Sequence, residues 1–358
     1  MTSPNDQPRA GVVGTGLIGG SIGLALRAKG WHVTGRDRDE ARAARALELG
    51  ALDAVGDDPE ADVTFVATPV GVMAASVREA LDAGRGWVTD VGSVKAALAG
   101  EVDDPRFVGG HPMAGSEQEG VDGADAALFE GATWVLTPTA STDPEGYARV
   151  RSVVSSLGAD VVAVSPERHD ALVALVSHVP HLTAATLMGL AAEGAEEHAT
   201  LLRLAAGGFR DMTRIAAGHP GIWPDICAEN RGAIVAVLDQ LIEALGQMRR
   251  TVDAADRDAL LDWLERARVA RLNLPSRAAA RPENLAEVRV PVPDRPGVLA
   301  EITTLAGELA VNIHDLEIAH SAEGDRGVLL LVIDAESGDL VRGALLARGF
   351  RPSVQALG

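Results

Sequence analysis

The 358-residue chain holds a single cysteine, Cys227, which excludes an intrachain disulfide and a cysteine-built zinc site. It is also short of positive charge, with 32 basic residues against 51 acidic ones and a net charge of −19. Nucleic acid and anionic membrane both reward a basic surface, so neither is expected as a partner. The opening residues, MTSPNDQPRAG, lack an apolar signal core, and no uninterrupted apolar run approaches membrane-spanning length. Those two absences predict a cytoplasmic protein. Internal repeats are lacking as well. What the chain has is apolar bulk: hydrophobic residues make up 47%, ample for two or three cored domains at this length.

The most specific stretch near the start is GVVGTGLIGGSIG, residues 11–23. A β-branched run leads into Gly14-x-Gly16-x-x-Gly19 and then into a helical pattern. In that grammar Gly14 permits a tight turn, Gly16 lets backbone approach a pyrophosphate, and Gly19 lets helix pack on strand. Leu17 and Ile18 lie within the loop, where the helix N-terminus faces the phosphates. Asp37 follows 23 residues after Gly14, at the end of the next predicted strand. A carboxylate at about that distance is placed to hydrogen-bond the adenosine ribose. Arg36 and Arg38 flank it and would suit a 2′-phosphate, but the carboxylate favours NAD over NADP.

From residue 9 to 165, strand-like runs alternate with helical patterns, which predicts parallel βαβ units in a doubly wound, Rossmann-type sheet. Predicted strands end at Thr68-Pro69 and at Asp90-Val91-Gly92-Ser93, and ligands gather beyond such carboxyl ends. His111, between glycines and a proline, is expected on a shaped loop. Residues 166–278 read as an all-α domain, apolar enough to suggest dimerisation. Ser177 and His181 share a helix face there, and Pro180 predicts a kink or boundary. A polar linker near 275–284 precedes a third region, 285–358, whose βαββα pattern is a small α+β module.

Six segments in order, GTGLIGGS (14–21), ATP (67–69), DVGSVK (90–95), GGHPMAGSE (109–117), SHVPH (177–181) and GFRDMTRIA (208–216), resemble the prephenate/arogenate dehydrogenases of tyrosine biosynthesis. The resemblance implies an NAD-dependent oxidative decarboxylation of a cyclohexadienol. His111 matches the catalytic histidine that, while neutral, accepts a hydrogen bond from the substrate hydroxyl. Ser93 matches the serine that bonds this histidine and lies near the nicotinamide. Arg214 matches the arginine that clamps a substrate carboxylate, with Asp211 placed to orient it. Ser116, Glu117, Ser177 and His181 match pocket positions. Gly207 and Trp223 match positions presented across a dimer interface. Thr68 and Pro69 join Gly14, Gly16, Leu17, Ile18, Gly19, Arg36, Asp37 and Ser93 on the cofactor side. No metal is expected; a zinc site from His178 and His181 lacks further ligands.

The C-terminal VPVPDRPGVLAEIT (290–303) and VNI (311–313) resemble an ACT domain, a module that binds amino-acid effectors. That likeness implies an effector site, with tyrosine the expected ligand, at Asp294, Arg295, Gly297, Val298, Asn312 and Ile313. Two other readings stay open. Glu117 would attract the ammonium of arogenate, so arogenate dehydrogenase is an alternative. A non-catalytic NAD- and amino-acid-sensing regulator is another, against which the joint presence of Ser93, His111 and Arg214 argues.

Overall fold

Strand β1 (Arg9–Val13) is buried on both faces because helices cover each side of the sheet it centres. The computed structural model describes residues 7–115, 118, 120–197, 201–273, 284–293, 295–320 and 326–357. The chain divides into two compact units, Met1–Ala255 and Asp256–Gly358.

In the first unit β1 leads into α1 (Leu17–Ala28), β2 (His32–Arg36), α2 (Glu40–Glu48), a two-residue β3 (Ala54–Val55) and β4 (Val63–Val66). Next come α3 (Met73–Ala83), β5 (Trp87–Asp90), α4 (Ala96–Glu101), β6 (Phe107–Pro112), β7 (Thr133–Thr137), α5 (Pro144–Ser156) and β8 (Asp160–Ala163). The sheet order is β3-β2-β1-β4-β5-β6-β7-β8. Successive residues serve opposite faces. Val12 and Phe65 pack with Ile22, Leu26 and Trp134 on one side, while Val13 and Val66 pack with Met73 and Val77 on the other.

Two expectations need correction here. The sheet is parallel only through β6, and β7 runs antiparallel to it. Residues 113–132 supply no α-helical crossover among the described residues, so the chain can return beside β6 in the opposite sense. His111 is also not on a loop. It lies within β6, opposite Val135 of β7, because the Gly109-Gly110 pair lets this strand pass close to Thr137 and to the Asp90 backbone.

The helical part begins with α6 (Pro166–Val173), passes through a π turn (174–178) and continues as α7 (Val179–Glu197). Proline at 180 has no N–H to give to the i−4 carbonyl, and the wider turn just before it absorbs the mismatch. By length and composition alone 166–194 is long and apolar enough to span a membrane, a test that helices of soluble proteins also pass, and 28% of its apolar window is buried within this chain. Then come α8 (Gly207–Thr213), α9 (Trp223–Glu229) and α10 (Arg231–Asp253). On α10, Ile234 is buried against Ala174 and Val179, with Val237, Leu238 and Leu241 packed beside it. Leu245, one turn further along the same spacing, is exposed, as are Leu175, Val176, Leu190 and Ile242.

The second unit holds α11 (Arg257–Leu272), β9 (Leu285–Pro293), α12 (Val298–Glu308), β10 (Ile313–His320), β11 (Arg326–Asp334), α13 (Gly338–Ala347) and β12 (Ser353–Ala356). Its antiparallel sheet runs β10-β11-β9-β12. The expected βαββα series is therefore completed by one more strand, giving βαββαβ. Val288, Ile302, Leu329, Leu331 and Leu345 form its core.

Candidate active site

The glycine loop is shaped by three contacts. Gly14 adopts φ +90°, its N–H donates to the Arg36 carbonyl at 2.8 Å, and a Cβ on it would lie 2.5 Å from the Ala67 carbonyl. Gly14 thus sits between the ends of β2 and β4, where only glycine fits. Gly19 is packed against the loop itself. Gly16 is different, since a Cβ there would meet nothing within 4 Å. Packing within the chain does not require a glycine at 16, whereas a ligand seated on the bare backbone would. Gly16, Leu17 and Ile18 are half-exposed between buried flanks, and α1 has no side-chain cap for its first N–H groups. These features fit a dinucleotide pyrophosphate.

Asp37 is anchored on this loop: its Oδ2 accepts the Thr15 N–H at 2.8 Å and its Oδ1 accepts that of Asp39 at 3.0 Å. Arg36 lies beside it but is engaged by Asp57 at 2.8 Å and Glu79 at 3.0 Å. Burial opposes its charge, yet these two carboxylates raise its pKa. A guanidinium held by two carboxylates, next to a third, is poorly placed to receive a phosphate. Thr68 Oγ1 is turned to the Met73 sulfur at 3.6 Å, and Pro69 is exposed. A small cleft of about 170 Å³ opens beyond β4 and β5, lined by Val70, Met73, Gly92, Val94 and Glu229.

Beneath that strand-end loop lies a buried ion pair. Asp90 Oδ2 accepts from Lys95 Nζ and, at 2.8 Å, from the Gly92 N–H; its Oδ1 accepts from the Gly110 N–H at 3.0 Å. One carboxylate therefore pins the loop carrying Ser93 and the strand carrying His111. Burial pushes the Lys95 ammonium pKa down, and Asp90 and Asp170 offset this only in part.

His111 Nδ1 lies 2.9 Å from His169 Nε2 of α6, and His169 Nδ1 lies 2.7 Å from Asp170 Oδ1. Asp170 in turn accepts the backbone N–H groups of Lys95 and Ala96, each at 2.8 Å. The expected bond between Ser93 and His111 is absent; the Nδ1 partner is His169, because β6 delivers the ring edge-on to α6. Ser93 stays half-buried on the adjoining loop. Burial, then the neighbouring His169, Lys95 and His178, hold the His111 pKa well below its ordinary 6.5, so the ring is neutral near pH 7.

The network continues into the helical part. Asn230 Nδ2 donates to the Asp170 carbonyl at 2.9 Å and lies 3.1 Å from His178 Nδ1. His178 is buried, its pKa pushed down to about 4 by desolvation against the pull of Asp170. Its ring meets Trp223 edge-on, and His181 stacks on the same indole with centroids 3.7 Å apart. Burial also lowers the His181 pKa. Ser177 is half-buried in the π turn. Gly207 opens α8, Asp211 is exposed on it, and Arg214 begins the following 3₁₀ turn. That turn ends at Gly218, whose Cβ position is 3.8 Å from His181 Cε1, so Arg214 belongs to the segment flanking His181. Ser116 and Glu117 lie outside the described residues.

In the C-terminal unit Arg295 pairs with Glu301 at 2.7 Å, Gly297 caps α12 at φ +87°, and Asn312 lies 3.3 Å from His314. The Val298 side chain is buried in the core and Ile313 packs against it, so neither side chain is offered to a ligand; Asp294 is outside the described residues.

Lys95, His169, Asp170 and Asn230 were not among the residues expected in the site. Asp90 and Lys95 stand inside the DVGSVK segment, an acid and a base in an otherwise apolar run, which is a signal for a buried pair. His169-Asp170 sits one helical stretch before SHVPH and has no such mark.

A family model described as prephenate dehydrogenase, nucleotide-binding domain, matches residues 22–163, and one described as prephenate dehydrogenase, dimerization domain, matches 165–266. A prephenate dehydrogenase of Bacillus subtilis (strain 168) is 34% identical over 340 residues, 91% of this chain and 92% of that protein. A cyclohexadienyl dehydrogenase of Zymomonas mobilis is 36% identical over 288 residues, 76% of this chain and 97% of its own length. Among solved structures, that of an Aquifex aeolicus prephenate dehydrogenase in complex with hydroxyphenyl propionate and NAD+ matches with a TM-score of 0.71 and 29% identity, covering 76% of this chain and 100% of that one. A Synechocystis arogenate dehydrogenase matches with a TM-score of 0.66 and 32% identity, covering 74% and 98%.

Proposed function

This chain belongs to the prephenate dehydrogenase family, and from that membership we propose that it oxidatively decarboxylates prephenate to 4-hydroxyphenylpyruvate with NAD. It is an NAD-dependent oxidoreductase of tyrosine biosynthesis. The observation that carries the reading is the half-buried, neutral His111 on β6, the strand beside β5, whose following loop carries Ser93, in the sheet that also holds the glycine loop.

When bound, NAD supplies the hydride acceptor. His111 takes the hydroxyl proton as hydride leaves the carbon bearing that hydroxyl. The bond to the ring carboxylate then breaks, its electron pair enters the ring, and carbon dioxide departs. The oxygen becomes a phenol by recovering the proton from His111, so protons and electrons balance. Arg214 offers a planar fork to a substrate carboxylate, and Asp211 orients it. Ser177, His181, Trp223, Gly207, Ser116 and Glu117 complete the pocket in this reading, and Ser93 faces the nicotinamide side.

The helical part pairs two copies, a reading supported by the dimerization model and by the exposed Leu175, Val176, Leu190 and Ile242. The C-terminal unit acts as an ACT module. Its βαββαβ order supports this, as does the near-complete coverage of relatives that align with only about three-quarters of this chain. Its effector is an aromatic amino acid, tyrosine first, held near Arg295, Gly297 and Asn312. The chain's kinship with biosynthetic dehydrogenases supports a cytoplasmic enzyme.

Arogenate remains the second substrate reading, favoured by the likeness to the Synechocystis arogenate dehydrogenase. Assays of the purified protein with prephenate and arogenate, each with NAD and NADP, separate the two. Turnover of prephenate with NAD is expected. Fast turnover of arogenate with none of prephenate overturns the assignment.

A further inference from the structure

We propose that His169 and Asp170 are positioning residues that set the tautomer of His111, so that His111 Nε2 presents a lone pair to the substrate hydroxyl. The inference rests on His111 being the proton acceptor, and it adds what makes it one.

The argument follows the hydrogen-bond donors along the chain of contacts. Asp170 accepts at both oxygens, from Lys95 N–H at Oδ1 and Ala96 N–H at Oδ2, so it faces its partners as an acceptor. His169 Nδ1, 2.7 Å from Asp170 Oδ1, must then carry the proton of that bond. A neutral imidazole protonated on Nδ1 has an acceptor at Nε2. His169 Nε2 is 2.9 Å from His111 Nδ1, which therefore donates, leaving His111 Nε2 unprotonated. Reversing any one bond reverses the outcome. If His111 were protonated on Nε2 it would offer the substrate a second donor where an acceptor is required.

The arrangement also serves the charged state. When His111 Nε2 takes the proton, the imidazolium keeps its Nδ1–H on His169 Nε2, and the Asp170 carboxylate stands at the far end of the relay. No proton leaves the pair, so the same proton is available for return. Asp170 is held by the first residues of the Lys95–Ala96 segment, and its carbonyl by Asn230. Loop, strand and helical part are thus locked to one tautomer.

Nitrogen-15 spectra of the full-length protein with labelled histidine read the tautomer directly, with His111→Asn identifying the His111 signals. Near neutral pH, Nδ1–H with unprotonated Nε2 is expected for both His111 and His169. His111 protonated on Nε2 overturns the proposal. Kinetics provide an independent arm. His169→Leu removes the acceptor, whereas His169→Gln retains an amide oxygen that can receive the His111 proton. A kcat loss of about 10²–10⁴-fold is expected for His169→Leu and for Asp170→Asn, with the KM for NAD unchanged and partial recovery in His169→Gln. Equal impairment of the Leu and Gln variants, or near-normal turnover in both, overturns the positioning role. The parent reading has its own readout: near-normal turnover in His111→Asn removes His111 as proton acceptor, and the relay with it.

Discussion

A Cβ on Gly19 would collide with the carbonyl oxygen of Gly14, so the loop's own backbone requires glycine at position 19. Gly19 is enforced by the protein's own backbone, while Gly16 faces open space. Gly19→Ala must push α1 off the loop and should lower stability by about 1–3 kcal/mol. Gly16→Ala should leave the unfolding midpoint within about 0.5 kcal/mol of wild type and weaken NAD binding about tenfold or more. Chemical denaturation and a fluorescence titration with NAD measure both. An unstable Gly16→Ala with normal NAD affinity would contradict the assignment of that backbone to the cofactor.

Cofactor choice follows from the company Arg36 keeps. In Asp37→Ala the proposed ribose partner is gone and the Thr15 N–H loses its acceptor, so kcat/KM for NAD should fall. NADP should gain little, because Asp57 and Glu79 still hold the guanidinium. Loosening Arg36 in Asp37→Ala/Glu79→Gln, where Asp57 still holds it, should raise NADP use further. The ratio of kcat/KM for the two cofactors across the pair of variants tests this. A full switch to NADP in the single variant would show that Arg36 is free to bind phosphate.

The Asp90–Lys95 pair is fully buried, and each partner is costly without the other. Lys95→Met strands a carboxylate that also organises Gly92 and Gly110, and Asp90→Asn strands an ammonium. Each should destabilise by about 3–5 kcal/mol. The double variant should recover part of that loss, since no lone charge remains. Additive losses in urea unfolding would argue that the two residues act separately.

Much of this was legible in the residues themselves. The glycine spacing, Asp37 and His111 stand out because turns, strand ends and helix starts leave local marks. The tertiary pairs leave none. His111 and His169 are 58 residues apart and meet because β6 is squeezed past Thr137 by two glycines while the Lys95–Ala96 segment binds Asp170. The reversed direction of β7 likewise depends on the described residues of 113–132 forming no crossover helix, and a two-residue strand such as β3 carries no periodicity at all. Leu245 keeps helical spacing with Ile234, yet it lies beyond the neighbours that cover the stripe. Periodicity reports a face and not what covers it.

The pH dependence has a definite sign. Burial and then His169, Lys95 and His178 disfavour protonation of His111, so its pKa lies well below 6.5. A base is active when unprotonated. Activity is therefore retained as pH falls past 6.5 and is lost only when pH drops through the lowered value. The acid limb of kcat/KM for prephenate should sit well below that of an ordinary histidine. A limb at or above 6.5 would mean that the ring is solvated, or that another group takes the proton.

Regulation can be separated from catalysis by where the chain is cut. Helix α11 ends at Leu272 with Asn273 as its cap, and β9 does not begin until Leu285. A chain ending at Asn273 keeps the glycine loop, the relay and the segment bearing Arg214. It should turn over prephenate with NAD at a rate comparable to the full chain. If the C-terminal unit binds tyrosine, inhibition by tyrosine should be lost in the shortened enzyme and present in the intact one. Arg295→Ala in the full chain should weaken inhibition without changing the KM for prephenate, because Arg295 lies in the other compact unit from His111. Equal inhibition of long and short chains would place tyrosine in the active site instead, as a product-like competitor.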